Sequence, residues 1–400
     1  MTGATGVLGA RVLKELLETT SSEIYCLVRA ESSVQARTRL LSFLRTYDPE
    51  DSQLQEFENR VTVLVGDVTD PTLGMDHHDY QEFAGKIDVT LHVAANTNLF
   101  SNFRRMEPIN VGGTRNMIRF ALQTPQKYLC YVSTYTVMGD KVFDKNLVFK
   151  ETDLDVGQRF DHMNYQHTKF ISENAVHDAT SQGLVWNIFR PGQIFGEAAT
   201  GRYPQGQTNV GGLFYDIFKT IIESRVALYC ETHYDIVPVD YVSRALVHLA
   251  LNRNSYFETY HLTNPDIKTY SDVVRLVTSL GYEIQSYPQK EYKEILFEGR
   301  MVVNNEEYKS VTTKAFKWWL QKEKFDFSES ALTLCTYTYD ILKSAGILCP
   351  EIDQKLIAVY IDAGVRMGYF PAPPPHIKRV SAVLEYPDNR PSSANIEVNV

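Results

Sequence analysis

Three evenly spaced glycines at the start of the chain, Gly3, Gly6 and Gly9, leave few folds open. A helical pattern begins inside the same stretch, apolar at Val7, Leu8, Val12, Leu13, Leu16 and Leu17. Glycines so placed permit a tight turn and let backbone N–H groups at a helix N-terminus approach a pyrophosphate. Thr5, Val7 and Leu8 share that turn and first helical residues, so they join the three glycines as expected dinucleotide contacts. Such a loop should follow a buried strand, and here only Met1-Thr2 precede it. The first, central strand is therefore expected to be truncated, either because the chain is a piece of a longer one or because its start falls too late, and upstream residues are expected to stabilise it.

Beyond the loop, apolar strand patterns alternate with helical ones. The strands are expected at Ile24–Val28, Val61–Val65, Val89–Val93, Tyr128–Val132 and Val185–Phe189. This alternation implies a Rossmann-type doubly wound parallel sheet with its ligand at the C-terminal edge of the strands. Each strand then delivers particular residues to that edge. Arg29 stands where an NAD enzyme places an acidic residue on the ribose, so it favours the 2′-phosphate of NADPH, with Arg39 as a second contact. Asp67 and Val68 fall at the adenine. Ala94, Ala95 and Asn96 are small enough for backbone to lie against the dinucleotide. His92 reads as structural, and Asn110 either supports this edge or starts a helix. Arg190-Pro191-Gly192 and Ile194 end the fifth strand.

Tyr165-Gln166-His167-Thr168-Lys169 lies in a helical segment from about Met163 to Gln182. Residues at i and i+4 share a helix face. A lysine ammonium there is expected to favour the phenolate and lower the tyrosine pKa, so that the pair moves a proton at a carbonyl oxygen. A hydroxyl from Thr134, with Ser133 as the alternative, would hold that oxygen.

Four hundred residues exceed one compact core. The expected division is a dinucleotide-binding domain over 1–195, completed by about 226–264, and a smaller, mostly helical substrate domain over 196–225 and 265–370. Within the latter, 196–212 reads as a mobile loop, 282–370 as helical, including Leu332–Leu342, and Trp318 and Trp319 as core or channel residues. A Pro-rich tail, 371–400, reads as disordered. The net charge of −9 argues against a nucleic-acid surface. No apolar run reaches the roughly 18–20 residues of a membrane span, and the N-terminus has no signal-peptide pattern. Five scattered cysteines show no metal-type spacing and suit reduced thiols, so a cytoplasmic protein without metal is expected.

Taken together, Thr2-Gly-x-x-Gly-x-x-Gly9, Val132-Ser-Thr-Tyr-Thr-Val-Met-Gly139, Tyr165-x-x-x-Lys169 and Arg190-Pro-Gly192 resemble the extended short-chain dehydrogenase/reductase superfamily over residues 2–370. Leu27-Val-Arg-Ala30 with Arg39-Leu40, Pro238-Val-Asp-Tyr-Val242, Tyr260-His-Leu-Thr-Asn264 and Leu348-Cys-Pro350 are similar to its thioester reductase domains. Those domains terminate nonribosomal peptide and polyketide synthetases, carboxylic acid reductases and aminoadipate reductases. The resemblance implies an acyl or peptidyl thioester on the phosphopantetheine arm of a carrier protein. It would be reduced with NADPH to an aldehyde, with a second hydride giving the alcohol. It also implies Gly3, Gly6 and Gly9 at the pyrophosphate, Arg29 and Arg39 at the 2′-phosphate, Asp67 at the adenine and Pro191-Gly192 near the nicotinamide. Thr134 and Tyr165 would sit at the reacting oxygen and Lys169 on the nicotinamide ribose.

A fatty acyl-coenzyme A reductase shares the fold but often carries a membrane segment. A nucleotide-sugar epimerase or dehydratase usually takes NAD, which Arg29 opposes. A non-catalytic dinucleotide sensor tends to lose the tyrosine or the lysine, and both are present.

Overall fold

The computed structural model describes residues 1–99, 101–204, 213–252, 255–297, 302–303, 306–307 and 330–374. Its strands run β1 Ile24–Val28, β2 Val61–Val65, β3 Thr90–His92, β4 Tyr128–Val132, β5 Val148–Phe149, β6 Val185–Pro191, β7 Ile194–Phe195, β8 Val226–Leu228, β9 Val237–Pro238, β10 Glu258–Leu262 and β11 Gln285–Tyr287. All pairings in the main sheet are parallel: β2 with β1 on one side, and β3, β4, β6 and β10 in that order on the other. The two halves meet at Thr2, which bridges Leu27 on one flank and His92 on the other. Thr2 N–H donates to the Leu91 carbonyl at 2.9 Å, and the Met1 carbonyl accepts from Leu27 N–H at 3.0 Å. The central position of the sheet is thus held by Met1-Thr2, as their sequence position before the glycine loop implies.

A parallel sheet covered on both faces must be apolar on both. In β4 all residues are buried and alternate in direction: Tyr128, Cys130 and Val132 face one core, Leu129 and Tyr131 the other. The first core lies under the helices Val7–Thr19 and Val239–Leu251, through Leu8, Val12, Val242 and Leu246. The second lies under Gly113–Ala121 and Asn164–Asp178, through Ile118, Ala121 and Val176. Each such apolar side chain taken out of water contributes roughly 1.5–3 kcal/mol before entropy is counted.

A further core gathers residues from 195 to 370, rich in aromatics: Phe195, Tyr215, Phe218, Tyr360 and Phe370 pack with Ile221, Val273 and Leu356. This C-terminal region departs from the helical expectation. Gln285–Tyr287 is a strand, paired in parallel with β8. Leu332–Thr333 is also extended and pairs in parallel with β5, with Leu332 N–H donating to Leu147 O at 2.9 Å. The helix there begins only at Thr336 and runs to Ser344. A free strand edge offered by β5 satisfies the backbone of 332–334 better than another helical turn, and tertiary pairing overrides apolar spacing. Trp318, Trp319, residues 205–212 of the 196–212 loop and most of the Pro-rich tail lie outside the described residues. None of the helices among the described residues is long and apolar enough to cross a membrane.

Candidate active site

The glycine loop wraps against the β3 strand tip. Gly3 has φ +78°, and a Cβ there would lie 2.6 Å from Ala94 N. A Cβ on Gly9 would lie 2.0 Å from the Gly3 carbonyl oxygen. Both positions therefore need glycine, one for conformation and one for closeness. Gly6 caps the Val7–Thr19 helix without a side-chain hydrogen bond, and no acidic residue occupies the first turn. The helix N–H groups are thus left to an anionic ligand.

Just past the β1 tip, Arg29 is 70% exposed, its guanidinium 3.9 Å from Asp67 Oδ2. Arg39, also exposed, donates from Nη1 to the Arg29 carbonyl at 3.0 Å. It therefore braces the end of β1. Asp67 Oδ1 accepts from Thr69 N–H and Thr69 Oγ1, both at 2.9 Å, and Val68 packs where a Cβ on Gly113 would reach it at 3.0 Å.

The 94–96 segment is tied down from two sides. Ala94 N–H donates to Thr2 Oγ1 at 3.2 Å. Asn110 Oδ1 accepts from Asn96 N–H at 2.7 Å, while its Nδ2 donates to Asn96 O at 3.1 Å and to Thr168 Oγ1 at 2.9 Å. Asn110 lies within a π-helical turn, Pro108–Gly112, ahead of the Gly113–Ala121 helix. Of its two sequence readings, the structure selects support of the sheet edge. His92 is buried between Thr2 Oγ1 at 2.8 Å and Thr114 Oγ1 at 3.3 Å. Thr114 commits its hydrogen to Asn110 O at 2.6 Å, so His92 Nε2 carries the proton and Nδ1 accepts. Burial pulls this imidazole down to about 3, and it is neutral.

Tyr165 and Lys169 occupy the first turns of the Asn164–Asp178 helix. Lys169 is 2% exposed; its Nζ donates to Val132 O at 2.7 Å and stands 4.8 Å above the Tyr131 ring. The expected lowering of the tyrosine pKa does not occur here. Burial pushes the Tyr165 phenol well above its ordinary value, and burial pulls Lys169 down to about 7 against the opposing pull of Glu173. Desolvation disfavours the charged form of both, and it outweighs their spacing. The phenol therefore keeps its proton at neutral pH.

Thr134 caps the short helix Tyr135–Phe143, its hydroxyl accepting from Thr136 N–H and lying 3.0 Å from Thr136 Oγ1. Ser133 Oγ is buried and has no partner among the described residues. Both hydroxyls follow the β4 tip. Arg190-Pro191-Gly192 ends β6, and a Cβ on Gly192 would fall 1.4 Å from Asp235 Oδ2. That half-buried carboxyl accepts from Gln193 N–H at 3.3 Å and Asn264 N–H at 2.8 Å, and desolvation pushes it up to about 7. Asp235 thus clamps the segment before Ile194. A cavity of about 40 Å³ bordered by Tyr135, Asp235, Thr263 and Leu332 adjoins it.

A glycine cradle, an uncapped helix N-terminus and a Tyr–Lys helix at one sheet edge define a dinucleotide-binding chain of the short-chain dehydrogenase/reductase type. Residues 1–246 match the NAD-binding male sterility protein family, and the chain belongs to that family. It binds a nicotinamide dinucleotide. The chain is 28% identical, over 368 residues, to a linear gramicidin synthase polypeptide of Brevibacillus parabrevis, covering 92% of this chain and 7% of that one. The terminal R domain of the myxalamid PKS-NRPS pathway superposes with a TM-score of 0.82 at 28% identity, over 93% of this chain and 91% of that one. A thiolation-reductase di-domain from an archaeal non-ribosomal peptide synthetase matches at a TM-score of 0.75 and 23% identity, over 92% of this chain and 75% of that one. Its likeness is one of fold. The chain spans between 7% and 30% of the length of the curated relatives it matches.

Proposed function

We propose that this chain is an NADPH-dependent thioester reductase that releases an acyl or peptidyl group from the phosphopantetheine arm of a carrier protein as an aldehyde, with the alcohol following from a second reduction. The observation that carries this reading is Tyr165 and Lys169 together on one helix beside the Ser133-Thr134 strand tip. The likeness to the myxalamid R domain over nearly the whole chain supports the thioester.

The residues fit the dinucleotide. The cradle closed by Gly3 and Gly9 and the free helix N-terminus suit a pyrophosphate. Arg29, exposed and only loosely paired, with Arg39 beside it, suits a 2′-phosphate and so NADPH over NADH. Asp67 and Val68 suit the adenine, Ala94, Ala95 and Asn96 the backbone beside it, and Pro191, Gly192 and Ile194 the nicotinamide end. When bound, NADPH supplies a hydride to the thioester carbonyl carbon. The C–S bond then breaks, the thiol leaves with a proton, and NADP⁺ and aldehyde remain.

Tyr165, protonated at neutral pH, donates a hydrogen bond to the reacting oxygen as charge develops there. Lys169 holds the nicotinamide ribose. Thr134 orients the same oxygen, with Ser133 as the alternative hydroxyl. The substrate enters from the side of the 195–370 core, which we read as the substrate domain. A carrier domain is the partner that would deliver it.

Loss of NADPH absorbance, followed with an acyl-pantetheine or acyl-coenzyme A thioester, tests this reading. Wild type is expected to turn over, and Tyr165→Phe to lose about 10²–10⁴ in rate. NADPH binding without turnover on the free thioesters or a carrier-bound acyl group would overturn the reductase reading. A preference for acyl-coenzyme A over the carrier-bound form would make it a fatty acyl-coenzyme A reductase instead.

A further inference from the structure

One buried chain of polar groups takes no part in the scheme above. Glu173 lies one turn beyond Lys169 on the same helix and is fully buried. Its carboxylate accepts three bonds from Arg190: Nε at 3.0 and 3.2 Å, Nη2 at 2.7 Å. Arg190 is 1% exposed. Its Nη1 reaches His261 Nε2 at 3.1 Å. A guanidinium only donates, so Nε2 accepts and the imidazole proton sits on Nδ1, which donates to Leu334 O at 2.6 Å. The Phe149 ring lies 5.1 Å from the guanidinium and stacks on His261 at 5.3 Å. Burial and Arg190 hold His261 down to about 3, so it adds no charge.

Burying an ion pair costs several kcal/mol per ion before its attraction is counted, and an apolar pair of similar volume often serves stability as well. This pair also joins two functional elements. Glu173 belongs to the Tyr165–Lys169 helix, and Arg190 opens the Arg190-Pro191-Gly192 segment. We infer that Glu173, held by Arg190 and His261 one helical turn from Lys169, is the positioning residue that sustains the Lys169 ammonium at the sheet edge, where its Nζ donates to Val132 O. The inference rests on the proposed role of Lys169 at the nicotinamide ribose.

The groups around Lys169 leave this task to Glu173. From its own helix come Tyr165 and Glu173, from β4 Tyr131, from β3 His92, and from β6 Arg190. His92 is neutral, and burial keeps both phenols protonated. Among the described residues, Glu173 is the negative charge that acts on the ammonium, and it opposes the desolvation that pulls Lys169 toward about 7. Arg190 and His261 act through it, by fixing where its charge sits.

The test is the pH dependence of NADPH affinity, read by nicotinamide fluorescence on the full chain. Affinity falls as pH rises through the Lys169 pKa, because the ammonium is lost. Titration of the NADPH phosphate itself is common to every variant and cancels in the comparison. Glu173→Gln removes the opposing charge, so the fall is expected to move to lower pH by about one unit or more. Glu173→Asp, which keeps the charge, is expected to restore it toward the wild-type position. Where Glu173→Gln alone does not fold, Glu173→Gln with Arg190→Met replaces the pair by uncharged side chains; it moves the fall the same way by a smaller step. A folded variant lacking the carboxylate whose pH dependence stays in place, with affinity merely lower throughout, overturns the inference. Wild type that fails to bind NADPH at any pH overturns the cofactor reading and this inference with it.

Discussion

The two ends of the dinucleotide cleft use charge in opposite ways. At the proposed adenosine end, Arg29 is exposed and Asp67 half-buried, 3.9 Å apart, and both can respond to solvent and salt. At the proposed nicotinamide end, Lys169, Glu173 and Arg190 are sealed within the sheet and its covering helices. Exposed pairs contribute about 0–1 kcal/mol and are screened within a Debye length of about 10 Å. Buried charges shift each other's protonation and cannot be moved without penalty. On the proposed reading, one end tunes which dinucleotide binds, while the other determines whether the bound one is held for chemistry. A change at the buried end should propagate into protonation and rate, and a change at the exposed end should remain an affinity effect.

The sharpest way to break this contrast is to damage the cradle that both ends share. In Gly9→Ala the new Cβ would sit 2.0 Å from the Gly3 carbonyl oxygen, which is backbone and cannot swing aside. Overpacking of this kind costs about 1–3 kcal/mol. The loop that must yield is the proposed pyrophosphate site, so binding of NADPH and NADH is expected to fall together, by about tenfold. Calorimetric titration with both dinucleotides checks this, and retained NADH binding would show that the loop is not the shared element.

Asn110 comes next. It holds Asn96 N–H, Asn96 O and Thr168 Oγ1 at once, and so links the 94–96 loop to the Tyr165 helix. Asn110→Ala leaves Asn96 groups unpaired, at about 1–3 kcal/mol. Asn110→Asp retains the acceptor for Asn96 N–H but faces the Asn96 carbonyl with a second acceptor. It is expected to lose at least as much stability and rate as Asn110→Ala, despite its closer shape. Thermal melts beside turnover measurements check the order. Asn110→Asp outperforming Asn110→Ala would mean that the Nδ2 bonds matter less than the Oδ1 bond.

How far the sequence foretold this site follows the range of the interactions. The glycine cradle was legible because its cause is local: each glycine is demanded by neighbours within the same turn or the adjoining strand tip. The parallel sheet was legible because short, mostly apolar strand patterns such as β4 and β6 alternate with helical ones. The Tyr–Lys pair was legible as a spacing, whereas the direction of the tyrosine shift was not. That direction depends on burial, which a spacing does not report. Glu173 stands at another helical step from Lys169 and was open to the same spacing argument. Its partners Arg190 and His261, however, arrive from two other strands. Leu332–Thr333 looked helical because the free edge of β5 that captures it lies far away in sequence. Asp235 escaped notice for the same reason, since its role exists only once Gly192 and Asn264 are brought beside it.

The smallest expected effect is at the exposed end, and it is the one that tests the choice of dinucleotide. Arg29→Ala removes a guanidinium that is 70% exposed and only loosely held by Asp67. Stability should change little, because an exposed pair at that separation contributes at most about 1 kcal/mol. A charge-assisted bond to a 2′-phosphate is worth about 1.5–3 kcal/mol before screening, so NADPH affinity should fall by about tenfold at low salt, while NADH affinity stays level. Raising the salt weakens the wild-type contact and leaves the variant with little to lose, so the difference between the two should shrink. The pH dependence of binding attributed to Lys169 should stay in place, since Arg29 lies at the opposite end of the cleft. If NADPH and NADH weakened equally, Arg29 would be acting on the fold of the β1 tip, which Arg39 braces through its carbonyl, rather than on the phosphate.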